Sequence, residues 1–130
     1  MVGSTAWTLE FDSQAPAHAR KLVSAHCQTT YPHVARSAWQ ILLLLLTELV
    51  TNAVRHGAAP VRVLIRHDKH RLRVDVNDRG TDLPTLRVGG DLLDEGGRGL
   101  LLVDSLAEDW GVERLEEGGK TVWFELTLAG

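Results

Sequence analysis

Val61, Val63 and Ile65 fall on one side of an alternating stretch, and Leu72, Val74 and Val76 do the same a few residues on. Period-two alternation of this kind predicts two half-buried strands, and the polar segment HDKH (His67–His70) between them reads as a hairpin turn. WTLEF (Trp7–Phe11) alternates as well and predicts a first strand. Two helical patterns separate it from the pair. Pro16 suits a first helical turn, and that helix continues through AHARKLVSAHCQTT to a break near Tyr31-Pro32. The next runs from about Val34 to His56, with Gly57 as its C-terminal cap. Its middle, Ile41–Leu46, is apolar all round, which predicts a central, buried helix.

Beyond the paired strands the pattern breaks. Arg79 to Gly97 carries Gly80, Pro84, Gly89, Gly90, Gly96 and Gly97, and a connection this long tends to be functional. RGLLLVDSLAEDW (Arg98–Trp110) reads as a third helix. GVERLEE and GKTVWFELTL then form a closing hairpin turned at Gly118-Gly119. The predicted order is β-α-α-β-β-loop-α-β-β, a single domain over residues 1–130.

Composition narrows the function classes. A net charge of -3 gives no footprint for nucleic acid. One cysteine, Cys27, forms no internal disulfide and fits a reducing cytoplasm. The start MVGSTAWTLEF has no basic segment followed by an apolar one, so no signal peptide is expected. The apolar run Ile41–Leu46 is far short of the ~20 residues of a membrane span.

Three polar features then need a reason. In TELVTNAVRHG, Glu48, Asn52 and His56 are four apart and line one face of a helix that has just been apolar all round. The ordinary reading is a solvated stripe; the functional one is a carboxylate and a carboxamide oxygen offered to a hard cation. His56 suits the end of its helix better than chemistry. Asp78 shares the parity of Leu72, Val74 and Val76, which aims a carboxylate at the core side of a strand end. It then needs a donor, such as the exocyclic amine of a purine, unless Asp78-Arg79-Gly80 is simply a turn. EGGRGLLLV sets Gly96, Gly97 and Gly99 at the start of a helix, where free N–H groups bind anions and missing side chains admit phosphates. No Walker A loop occurs.

Taken together, these segments resemble the GHKL ATPases, which share the Bergerat ATP-binding fold with histidine kinases, gyrase and MutL. ELVTNAVRH (Glu48–His56) resembles that family's N-box, DRG (Asp78–Gly80) its G1 box, GGRGL (Gly96–Leu100) its G2 box, and GKTVWFEL its closing strand. The resemblance covers essentially the whole chain. It is strongest to stand-alone anti-sigma factors that are also serine kinases, of the RsbW and SpoIIAB type, and to short actinobacterial regulators on that plan. It implies an α+β two-layer sandwich with a mixed, mostly antiparallel sheet and about three helices on one face.

The resemblance also implies roles. Asn52 binds a Mg²⁺ that bridges ATP phosphates, and Glu48 is the general base toward a protein serine. Asp78 accepts from the adenine amine with Gly80 allowing close approach, and Gly97, Gly99 and Leu100 form the phosphate-binding helix start. Thr121 assists at the adenine. Arg98, from its place and charge, reaches toward the terminal phosphate. Period two groups Thr121 with Trp123 and Glu125, opposite Val122, Phe124 and Leu126. Arg79–Gly97, the lid candidate, sets Arg79 and Arg87 against Asp82, Asp91, Asp94 and Glu95, a net of -2 that fits a partner-binding surface.

The expected function is that of a cytoplasmic partner-switching regulator. It would bind a sigma factor and phosphorylate a serine on an anti-anti-sigma (STAS-type) protein, with ATP and Mg²⁺ as cofactors and a homodimer as the assembly. The alternative is an ATP-dependent binding regulator without kinase activity. A structural adaptor that binds no nucleotide fits least, since every box is present.

Overall fold

The computed structural model describes residues 3–31, 33–68, 70–81, 83 and 95–127, with backbone alone for 95–98. The elements run β1 (Gly3–Leu9), α1 (Ala15–Thr30), α2 (Arg36–His56), β2 (Val61–His67), β3 (Arg71–Asp78), α3 (Glu95–Leu106), β4 (Asp109–Arg114) and β5 (Lys120–Thr127). The strands form one sheet in the order β1-β2-β3-β5-β4. Every described pairing is antiparallel, so the sheet is wholly antiparallel there rather than mixed.

The alternation seen in the sequence becomes a buried face. Val61, Val63 and Ile65 of β2 and Leu72, Val74 and Val76 of β3 are buried, joined by Val122, Phe124 and Leu126 of β5. Against them lie Leu42, Leu45, Leu46, Leu49, Val50 and Ala53 of α2, with Leu100 and Val103 of α3. Burying a leucine or valine side chain stabilises by about 1.5–3 kcal/mol. The apolar middle of α2 is therefore explained by its place: it packs on α1, α3 and three strands. By length and composition alone α2 is also long and apolar enough to cross a membrane.

The ends of elements follow local chemistry. Pro16 sits in the first turn of α1. The Gly57 N–H closes α2 on Ala53 O at 2.9 Å. Asp68 builds the β2–β3 turn by accepting from the N–H of His70 at 2.9 Å and of Arg71 at 2.7 Å. The β4–β5 turn uses Gly118 and Gly119 at φ +99° and +86°, the left-handed region that favours glycine.

One boundary differs from the sequence pattern. The third helix ends at Leu106 rather than Trp110. The Glu108 N–H already donates to Glu125 O of β5 at 3.0 Å, so sheet pairing captures the chain two residues after the helix. Trp110 joins β4 and its indole N–H donates to Asp104 Oδ1 at 2.9 Å. The first strand likewise ends at Leu9, short of Phe11, where Asp12 turns the chain.

The far face of the sheet is polar. Asp75 is buried there between Arg73, at 2.7 Å, and Arg66, at 3.6 Å. The Arg73 guanidinium also lies 4.1 Å from the centre of the Trp123 ring.

Candidate functional site

The polar line on α2 ends at the start of α3. Glu48 and Asn52 are half-buried, one turn apart, while His56 is exposed at the helix end. Gly99 packs directly on that line: a methyl group there would lie 2.8 Å from Asn52 Nδ2 and 3.4 Å from Glu48 Oε2. A residue without a side chain lets α3 come this close while Asn52 keeps its place on α2. The next residue, Leu100, is fully buried and anchors α3 to the core.

The second half of the site is built on Asp78. As its parity implied, this carboxylate is buried, at 3% exposure. Its Oδ1 accepts from the Gly80 N–H at 2.7 Å, the Lys120 ammonium at 2.9 Å and the Ala58 N–H at 3.4 Å. A methyl group on Gly57 would collide with the same carboxyl group, and one on Gly80 would lie 2.9 Å from Oδ1. Gly57 therefore ends α2 and also makes room for Asp78. Gly57 lies five positions after Asn52, about 7.5 Å of helix rise, so the two halves lie along one edge of the same element.

Lys120 was not anticipated, although a signal for it existed. It shares the parity of Val122, Phe124 and Leu126, and the register pairs it with Asp78. Thr121, expected to assist at the adenine, has the other parity. It pairs with Asn77, on the face of the sheet opposite Asp78, so the structure does not bring it to the carboxylate. Thr121 is buried there and its Oγ1 has no hydrogen-bond partner, nor has Asn77 Oδ1. Gly97 and Arg98 belong to the first turn of α3. The Arg98 side chain and most of the acidic segment 79–97 lie outside the described residues.

The sequence profile of the histidine kinase-like ATPase domain matches residues 10–126, nearly the whole chain. The chain belongs to this family. An uncharacterized protein of Streptomyces coelicolor is 38% identical over 74 residues, covering 53% of this chain and 70% of that one. Among solved structures, the RsbU and RsbW domains of Rv1364c from Mycobacterium tuberculosis superpose with a TM-score of 0.70 at 19% identity. That match covers 95% of this chain and 31% of the other, so this chain spans about a third of its structural neighbour. The neighbour establishes the fold, an open antiparallel sheet with three helices.

Membership of the histidine kinase-like ATPase family implies a site for ATP, and the described residues fit one. Asp78 offers a buried acceptor beside three closely packed glycines, Gly57, Gly80 and Gly119. Asn52 and Glu48 offer oxygen atoms of the kind a magnesium ion prefers. No group of three His, Cys, Asp or Glu side chains able to hold a metal occurs among the described residues. A magnesium ion held largely by phosphate and water needs no such group.

Proposed function

We propose that this chain is an ATP-binding anti-sigma regulator and protein serine kinase that phosphorylates a STAS-type anti-anti-sigma partner. The observation that carries the reading is the apposition of Gly99 to Glu48 and Asn52, which sets the phosphate-binding helix start against an acid and an amide. When bound, ATP supplies the phosphoryl group and magnesium neutralises its charge. Asn52 would hold that ion through its carboxamide oxygen. Glu48 accepts the proton of the partner's serine hydroxyl as that oxygen takes the terminal phosphoryl group, leaving ADP. Asp78 accepts from the adenine amine, and the N-terminal turn of α3, with Gly97 and Arg98, faces the phosphates.

The site works in the cytoplasm, where ATP is available, and the partners are a sigma factor and the STAS protein, with the chain acting as a homodimer. Sedimentation as a monomer at high micromolar concentration would remove the dimer from this reading.

The decisive test is phosphate transfer to a cognate STAS-type protein, followed with labelled ATP. Transfer by the native protein and its loss in Glu48→Ala, with ATP affinity retained, supports the kinase. Native protein that binds ATP and its partner but transfers no phosphate is instead a nucleotide-dependent binding regulator.

A further inference from the structure

Lys120 is a charge that the proposed mechanism does not use, and it is almost completely buried, at 5% exposure. A lysine this deep needs a paired charge. It finds one in Asp78, 2.9 Å away and itself 3% exposed. The pairing is one-sided. Lys120, Gly80 and Ala58 all donate to Oδ1, and among the described residues no hydrogen bond reaches Oδ2. One carboxylate oxygen is thus occupied three times over while the other is left as an acceptor.

We propose that Lys120 determines base specificity: its ammonium, paired with Oδ1, fixes the Asp78 carboxylate so that Oδ2 is left as the acceptor that selects a purine bearing an amine over one bearing a carbonyl at the same position. The proposal rests on Asp78 lying in the nucleotide site, as argued above. An ionised carboxylate only accepts hydrogen bonds, whereas a protonated one also donates. A carbonyl oxygen set against a carboxylate leaves two acceptors facing each other, which a site built around that hydrogen bond rejects. Without the ammonium, Oδ1 keeps only its two backbone donors among the described residues, one of them at 3.4 Å, and the carboxyl group is no longer held in the one orientation that leaves Oδ2 as the acceptor. Lys120 is therefore a positioning residue that acts through Asp78.

The test compares binding of ATP and of inosine triphosphate, each with magnesium, by calorimetric competition. The proteins are the native chain, Lys120→Met, Lys120→Gln and Lys120→Arg. The native chain should prefer ATP. In Lys120→Met and Lys120→Gln that preference should fall by about tenfold or more, the worth of a hydrogen bond to a charged group. Lys120→Arg keeps the charge and should keep the preference. Lys120→Gln, close in length and still a donor, carries the comparison if Lys120→Met does not fold. An equal loss of affinity for both nucleotides, with the preference intact, overturns the proposal and leaves Lys120 a structural residue. A native chain that binds neither nucleotide overturns the nucleotide reading and this proposal with it.

Discussion

Two glycines of this chain separate function from stability at the level of single residues. Gly99 lies inside α3, where alanine is the better helix former by about 1 kcal/mol. The methyl group of Gly99→Ala would meet the amide end of Asn52, which can swing aside at little cost to the fold but away from its place on α2. Gly99→Ala is therefore expected to hold or raise the denaturation midpoint while lowering ATP affinity about tenfold or more, a loss comparable to one hydrogen bond to a charged group. Gly119 is the opposite case. It sits at φ +86°, and a methyl group there would strike the backbone carbonyl of Asp78. Gly119→Ala should cost at least about 1–2 kcal/mol of stability, measured by chemical denaturation. A Gly99→Ala protein that unfolded early yet bound ATP normally would reverse the assignment.

At the level of elements, α1 makes the fold sensitive to pH from both sides. Burial pushes the Cys27 thiol from its ordinary 9.0 up to about 12, and it also raises the nearby Tyr31 hydroxyl. The folded state thus prefers the protonated thiol. Its contribution is present in full below pH 9.0 and is lost as the pH climbs toward about 12. His26, packed edge-on against Trp7 of β1, is pulled the other way. Burial first, and the charge of His67 second, hold it below its ordinary 6.5. Its Nε2 is buried with no hydrogen-bond partner, so protonation would place a charge there without compensation. That contribution is present above pH 6.5 and lost as the pH falls. Denaturation midpoints should drop on both flanks. Cys27→Ala should flatten part of the alkaline side and His26→Gln part of the acid side, while unchanged profiles would mean that neither group is linked to folding.

Elements were also the most legible level of the sequence. Period two located β2, β3 and β5, and the all-round apolar run located α2, because a core-facing strand and a central helix are dictated by local burial. The end of α3 was not legible. What stops it is the Glu108 N–H reaching Glu125 O, a contact between residues far apart in sequence. The site divides in the same way. Asp78 could be read from its own strand, and Lys120 could have been, since its parity matched the apolar set of β5. That the two form an ion pair depends on the antiparallel register of β3 with β5, which no single segment carries.

Across the whole molecule, the candidate site exists only when distant parts of the chain meet. Glu48 and Asn52 come from α2, Asp78 and Gly80 from the end of β3, Gly99 from α3 and Lys120 from β5. An unfolded chain holds none of this together, so ATP should bind the folded state alone and stabilise it by mass action. At a hundredfold excess over its dissociation constant the gain is about 2.7 kcal/mol, a rise in melting temperature of about 10 °C for a domain of this size. Asp78→Asn should lose the rise, because the amide can no longer accept through both oxygens and leaves the Lys120 ammonium buried without its counter-charge. Chelating the magnesium should shrink the rise if Asn52 holds the ion as proposed. Glu48→Ala distinguishes two roles for that acid. As a base toward the partner's serine it contributes nothing to ATP binding, and the rise should persist in full. If the rise disappears with Glu48, the carboxylate is a ligand of the metal, and the proton acceptor must be sought on another residue facing Gly99.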